Sequence, residues 1–439
     1  MINLEKLLYK KISLWILLFT LIISIIVTII FGSIVLRSTT AKKVASFPDI
    51  LSEIFFGTPD DFVVGNNTFI GEKKFIKFSN KIDDFDGYLL ISRYDLKKKR
   101  SIVEMLDLES GKIIHTWIPD INKINSYSKL SNYQNLKRDH NVARYQITHP
   151  LLFNDGDLII HSTGSPLVRI DACSQMKWFV DKTFHHSTEL DSEGNIWSPA
   201  KNFPPTIEGI NLDLDRRDGK IFQEDTIVKV SMNGDIIFSK PIIEILIDNK
   251  LEHMLPPGWQ VALSADYLDP VHLNDIQPVL SDSKFWKKND VFVSLRNISL
   301  VFLYRPSTNK IIWYQQGPWT FQHDVDVLND HQIAIFDNNL DNLFKHNVNE
   351  SNQTLIYDFE RNKVDSPFKE GFLKNNISTT WGGLSKILKN GDIFIEETMG
   401  GRILRMDRKG KIKWQFINRE KNGKLYLLNW SRFLEKELY

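Results

Sequence analysis

Three histidines share one position of a repeated unit. His323, in the stretch FQHDVDVLNDHQIAIFDNN at 321–339, lies eight residues before His331 at a tight turn. His186, in HHSTELDSEGNIW, lies eight before Gly194, and Gly383, in WGGLSKILKNGDIFI, lies eight before Gly391. His272, in HLNDIQPVLSDSKF, reaches Leu280 after the same interval of eight, with the turn enlarged beyond it. Repeated units put equivalent positions in equivalent places, so a radial arrangement brings the three imidazoles together. Converging imidazoles support several chemistries: a neutral ring can attack as a nucleophile, another can pass protons, and three together can hold a metal ion. Other histidines fall outside the pattern. His149 precedes Pro150 and is one residue short of the interval to its turn glycine, Gly156. His185 alternates to the opposite strand face from His186 and reads as structural. His115 belongs to an outer hairpin.

Strands must position these residues. From about residue 86 the chain breaks into short apolar runs separated by DG, NG, SG and KG turns, which are hairpin signals. A second repeat ends each unit in an aromatic: LDLESGKIIHTW at Trp117, RIDACSQMKWF with Trp178, KVSMNGDIIF with Phe238, YRPSTNKIIWY with Trp313, NQTLIYDF with Tyr357 and RMDRKGKIKWQF with Trp414. Six such units predict an all-β chain, a six-bladed β-propeller with four strands per blade around a channel. The aromatics read as packing between blades. The first strand of each blade is innermost, which sets His186, His272, His323 and Gly383 near one channel mouth. The best helical stretch, IIEILIDNKLE at 242–252, reads as an insertion between strands, and NLDLDRRDG at 211–219 as a charged turn.

The chain has 439 residues, a net charge of +1, 42% hydrophobic and 12% aromatic residues. That is enough for a large closed core, and the neutral balance argues against a nucleic-acid partner. The single cysteine, Cys173, makes neither an intramolecular disulfide nor a zinc motif. Residues 12–36, ISLWILLFTLIISIIVTIIFGSIVL, carry no charge and are long enough to span a hydrocarbon core of about 30 Å. They read as a single N-terminal transmembrane helix, an uncleaved signal anchor preceded by a basic tail at 1–11. Lysines and arginines nearly balance across it: Lys6, Lys10 and Lys11 before, Arg37, Lys42 and Lys43 after. A long C-terminal domain is expected on the extracytoplasmic, periplasmic side. Residues 37–80 read as a stalk and 81–439 as the propeller.

With these segments in order, the chain resembles the bacterial-type arylsulfotransferases, sulfohistidine enzymes built on a six-bladed propeller. The resemblance runs from GYLLISRYDL at 87–96 to about residue 417. It is densest in HHSTELDSEGNIW, in HLNDIQPV with VSLRNISLVFLY, in FQHDVDV with IAIFDNN, and in NGDIFIEETMGGRILRMDRKGKIKWQF. It implies transfer of a sulfuryl group from a phenolic sulfate ester to another phenol, ping-pong, through a sulfated histidine, without a nucleotide donor, metal or cofactor. Carried onto this chain, His323 is the implied nucleophile. His272, Asn274, Arg296 and His186 complete the implied site.

The residue types suit that chemistry. Arg296 offers a planar fork to sulfuryl oxygens. Asn274 and a second imidazole can donate to oxygens that gain charge in the transition state. One departure is FDNN in place of the family's FDNG, which requires Asn339 to take a turn position that glycine would hold. Two other functions fit the same residues. One is a non-catalytic, membrane-anchored propeller that binds glycans or proteins. The other is a metal-dependent propeller hydrolase with the three histidines as ligands.

Overall fold

The structure is a computed structural model that describes residues 18–27, 63–65, 74–130, 140–207, 222–256, 269–341, 348–420 and 423–436. The chain divides into two compact units, 1–58 with 213–219 and 59–212 with 220–439. In the first unit the described residues, 18–27, are helical, with Phe19, Leu21, Ile22 and Val27 exposed. Among the described residues no helix is long and apolar enough to cross a membrane. The rest of the expected span at 12–36 lies outside them, as do the basic tail, most of 37–80 and the turn at 211–219.

The second unit is an all-β, propeller-like array of antiparallel sheets. One sheet joins Tyr88–Asp95, Arg100–Asp107 and Lys112–Trp117 to the C-terminal strand Arg432–Leu434, which pairs with Tyr88–Asp95. An eight-stranded sheet follows. It runs from Leu151–Leu152 through Leu158–Ile160, Ser165–Ile170 and Met176–Phe184 to Ile196–Asn202, Glu224–Val230 and Ile236–Pro241, and Glu189–Leu190 also pairs with Ile196–Asn202. Next come Leu273–Pro278, Val291–Leu295, Leu300–Arg305 and Lys310–Gln316, then Val325–Val327, Gln332–Asp337, Gln353–Asp358 and Lys363–Asp365. The last sheet holds Leu384–Ile387, Ile393–Glu397, Arg402–Met406 and Ile412–Ile417. Phe75–Lys77, within the expected stalk, adds an edge strand to it by pairing with Ile412–Ile417.

Burial explains why these sequences make these strands. Val291–Leu295 is buried at every position, as a middle strand covered on both faces must be. The outer strand Lys310–Gln316 alternates exposed and half-buried residues, the period-two pattern of a strand wetted on one face. Each fully buried Val, Leu, Ile or Phe contributes about 1.5–3 kcal/mol. The helix expected near 242–252 is present as Ile242–Asp248, followed by the 3-10 turn Glu252–Met254.

Two of the outer aromatics tie their strand to the following unit in sequence. Trp117 Nε1 donates to the Gly156 carbonyl and Trp178 Nε1 to the Met232 carbonyl, both at 3.0 Å. Tyr357 departs from the expected repeat. It lies on Gln353–Asp358, the third strand of its sheet, because the outermost strand there is the short Lys363–Asp365.

Carboxylates link the inner strands. Asp225 Oδ2 accepts from Leu273 N at 2.6 Å, Asp275 Oδ2 from Val325 N at 2.8 Å and Asp324 Oδ2 from Ser385 N at 3.1 Å. Glu396 accepts from both Trp430 N and Ser431 N at 2.7 Å. Each of these groups holds the opening backbone of the next strand in register, and this register places the site.

Candidate active site

The first hairpin of each unit is closed by a backbone bond at its turn. These bonds are Asp191 N to Asn195 O, Leu328 N to Gln332 O and Leu388 N to Asp392 O, each 2.9 Å. His186, His323 and Gly383 sit at the same offset before those donors, so the equivalence expected for them holds. His272 differs. Its hairpin closes through Val279 N to Asp290 O at 2.9 Å, which puts Asn274 at the repeat position and His272 two residues upstream. The interval from His272 to Leu280 is thus not the register of the fold; a bulge between Leu273 and Asp275 accounts for the offset. At the fourth position a side chain has no room. A Cβ on Gly383 would lie 2.5 Å from Phe336 Cε1, and its φ is +92°.

The three imidazoles meet. The His186 ring centroid lies 5.0 Å from that of His272 and 6.2 Å from that of His323. Trp430 closes the group, 6.0 Å from His186 and 6.1 Å from His323. His149, which the spacing leaves out, stacks edge-on to Trp430 at 5.3 Å. Sequence alone misses Trp430 because it lies beyond the repeats, just ahead of the returning C-terminal strand.

His323 is 2% exposed. Its backbone N donates to the Phe336 carbonyl at 3.0 Å, fixing it at the head of Val325–Val327. Gly382 N donates to Nε2 at 3.2 Å, and Nδ1 lies 2.6 Å from Asn338 Oδ1. Asn338 gives its amide protons to the Thr379 and Gly382 carbonyls at 3.1 and 2.9 Å, so its Oδ1 is an acceptor. Nδ1 therefore carries the ring proton, and Nε2 keeps its lone pair. Burial, with the nearby Arg296 charge, holds His323 well below the ordinary histidine value. It is a neutral imidazole. Asn338 lies inside the FDNN motif beside Asn339, which takes the turn with φ +52° as expected.

Arg296 follows Val291–Leu295 at the start of a 3-10 turn, and its N donates to the His272 carbonyl at 3.0 Å. One hairpin thus carries His272, Asn274 and Arg296. Arg296 is 2% exposed, yet among the described residues its guanidinium makes one hydrogen bond, from Nη1 to Asn297 Oδ1 at 3.0 Å, while Nε and Nη2 make none. Its Cζ lies 4.9 Å from the Trp381 ring and 5.4 Å from the Phe321 ring. A buried cation with two unsatisfied donors is suited to an oxyanion. Burial lowers its pKa only to about 10, so it stays charged at neutral pH. Asn274 gives one amide proton to the Gln322 carbonyl at 2.8 Å, and its Oδ1 makes no hydrogen bond.

The other two imidazoles are backed by further groups. His272 Nδ1 lies 2.5 Å from Asp269 Oδ2. Burial alone would raise Asp269, yet the His272 contact holds it below the usual carboxylate range. His186 Nδ1 lies 2.7 Å from His185 Nδ1. His185 is therefore not turned away from the site, as strand alternation suggests; His186 has φ +59°, and the backbone is not extended there. Among the described residues no three His, Cys, Asp or Glu side chains are arranged to hold a metal ion.

The sequence profile described as Arylsulfotransferase (ASST) matches residues 149–419, more than half the chain and a span that contains His186, His272, Asn274, Arg296 and His323. The chain belongs to the arylsulfotransferase family. An arylsulfotransferase is a sulfotransferase-type protein, and small-molecule aryl compounds are the substrate class the family implies. No curated protein matches the chain. Similar solved structures include a protein of unknown function from Bacteroides caccae, 11% identical over 80% of this chain and 99% of that one, with a TM-score of 0.48. Another is virginiamycin B lyase from Staphylococcus aureus, 10% identical over 63% and 71%, with a TM-score of 0.34. A third is hydrazine synthase of Kuenenia stuttgartiensis, 10% identical over 76% and 80%, with a TM-score of 0.39. Likenesses this distant carry no inference about the arylsulfotransferase site.

Proposed function

We propose that the chain is an aryl sulfotransferase that moves a sulfuryl group from a phenolic sulfate ester to a phenolic acceptor through a sulfated His323, with no nucleotide donor. The observation that carries this reading is the His323 tautomer: Nδ1 is committed to Asn338, and Nε2 is unprotonated, its lone pair taking only the 3.2 Å bond from Gly382 N that the attack on sulfur replaces, with the charge of the buried Arg296 nearby. In the first half-reaction Nε2 attacks sulfur, an S–N bond forms and the ester S–O bond breaks. The phenolate leaves with that electron pair and takes a proton. In the second, the acceptor phenol gives up its proton, its oxygen attacks sulfur, and the S–N electrons return to Nε2. Both halves are simpler than one direct transfer.

Arg296 holds sulfuryl oxygens, and the second amide proton of Asn274 adds a donor beside them, while His272 is held in place by Asp269. Trp381, 43% exposed, and Phe321 line the approach to Arg296 and offer flat faces to an aryl ring. We further read the sheets as six blades. The eight-stranded sheet is joined at its middle by a two-residue pairing, Ala200 with Phe184 and Lys201 with Thr183, and dividing it there yields two four-stranded meanders. We also keep residues 12–36 as a membrane anchor with the propeller on the extracytoplasmic side, on the strength of their uncharged length.

Intact-protein mass spectrometry after brief incubation with 4-nitrophenyl sulfate tests the reaction. The expected result is a gain of one sulfuryl group, absent in His323→Ala. No adduct, and no nitrophenol released to any phenol acceptor, would leave a binding propeller as the better account.

A further inference from the structure

Outside the five residues above, two buried groups run back from the site in a line. His185 Nδ1 is 2.7 Å from His186 Nδ1, and the two rings meet edge to face at 83° with centroids 5.0 Å apart. At its other end His185 Nε2 faces Asp225 Oδ1 at 3.3 Å. Both atoms are buried and make no hydrogen bond among the described residues, so each is the open polar atom facing the other across that gap. Asp225 Oδ2 is taken by Leu273 N at 2.6 Å, so Oδ1 is the oxygen left for His185. Both side chains are at most 2% exposed. With Nδ1 committed to His185, Nε2 is the end of His186 that serves the site, where its ring lies against His272 and His323.

We infer that Asp225, His185 and His186 form a proton relay that gives a proton to the departing phenolate and takes one from the acceptor phenol. The inference rests on the sulfuryl-transfer reading above. A neutral imidazole passes a proton by accepting at one nitrogen while releasing from the other, and so never has to carry a buried charge. In the first half-reaction His186 Nε2–H goes to the phenolate oxygen. His185 Nδ1–H moves to His186 Nδ1, and the Asp225 carboxyl proton moves to His185 Nε2. The result is a neutral phenol, two neutral imidazoles in their other tautomers and an Asp225 carboxylate. The acceptor phenol reverses each transfer as its oxygen attacks sulfur, and Asp225 recovers its proton.

The electrostatics suit these roles. Burial first, then the Lys201 and His272 charges, keeps His185 neutral; burial and the neighbouring imidazoles do the same for His186. Burial and the Asp269 charge push Asp225 up to about 7, a carboxyl able both to hold and to release a proton near neutrality. His186 would touch the reacting oxygen; His185 and Asp225 act through it.

The test compares two esters on His185→Phe and Asp225→Asn, measuring His323 sulfurylation in single turnover with the full-length chain. Phenyl sulfate needs its leaving oxygen protonated; 4-nitrophenyl sulfate expels a stable phenolate. A lost relay slows the first about 100-fold and the second less than about 10-fold. Both esters are read on one preparation, so any loss of folded protein cancels in the ratio. An equal loss for both esters, or no loss for either, overturns the relay while leaving the transferase intact. A wild-type chain that accepts a sulfuryl group from neither ester overturns the transfer reading itself.

Discussion

Asn338 Oδ1 lies 2.6 Å from His323 Nδ1, and the Asn338 amide is itself pinned by two backbone carbonyls. This pair puts the ring proton on Nδ1 and leaves Nε2 unprotonated, the nitrogen that attacks in the proposed transfer. Asn338→Ala is expected to slow sulfohistidine formation about 100-fold per folded molecule, because the ring loses both its orientation and its tautomer. Single-turnover adduct formation checks this. An unchanged rate would show that Asn338 only supports its loop.

His323 is held below the ordinary histidine value by burial and by the Arg296 charge. Its lone pair therefore persists as pH falls through about 6.5, where a free histidine would become protonated. Adduct formation from 4-nitrophenyl sulfate is expected to stay flat between about pH 8 and pH 6. Arg296→Gln removes the cation, so the acid limb moves to higher pH as the overall rate drops. The linkage to stability has a matching sign. A group whose pKa falls on folding contributes stability above about pH 6.5 that is lost progressively as pH drops toward the folded value.

Trp381 is 43% exposed and its ring lies 4.9 Å from the Arg296 guanidinium carbon. Trp381→Ala should leave the fold intact. It should raise the ester concentration needed for half-maximal sulfurylation about 5-fold, in line with roughly 1 kcal/mol of aromatic contact. Single-turnover rates across ester concentration separate this from a change in the chemical step; a loss confined to the limiting rate would place Trp381 outside the binding wall.

Gly383 meets Phe336 and Thr379 too closely for any side chain, 2.5 and 2.7 Å from a built Cβ, at φ +92°. Gly383→Ala is expected to destabilise the propeller by about 3 kcal/mol, through overpacking and backbone strain together. Denaturant unfolding measures this. A neutral result would mean that the inner strand shifts freely.

Much of this arrangement is legible in the residues. His186, His323 and Gly383 reveal their equivalence because a hairpin of fixed length separates each from its turn, and hydrogen-bonded register preserves that interval. The apolar runs and turn glycines mark the strands for the same reason. The helix at Ile242–Asp248 also stands out from its apolar pattern. Two misreadings concern places where a strand departs from regularity. His272 is displaced by a bulge, and His185 turns toward His186 because His186 has a left-handed backbone. Alternation rules assume an extended chain, and at these two points the chain is not extended.

The strand repeat and the residue types suited to a sulfuryl group can be read along the chain, since periodicity and turn chemistry are local properties. Tertiary structure alone decided the partners: Asn338 behind His323, Asp269 behind His272, His185 and Asp225 behind His186, and Trp430 across the ring. These contacts depend on how separate strands and loops are brought together. Which nitrogen holds a proton depends on them too, and no spacing along the chain encodes that.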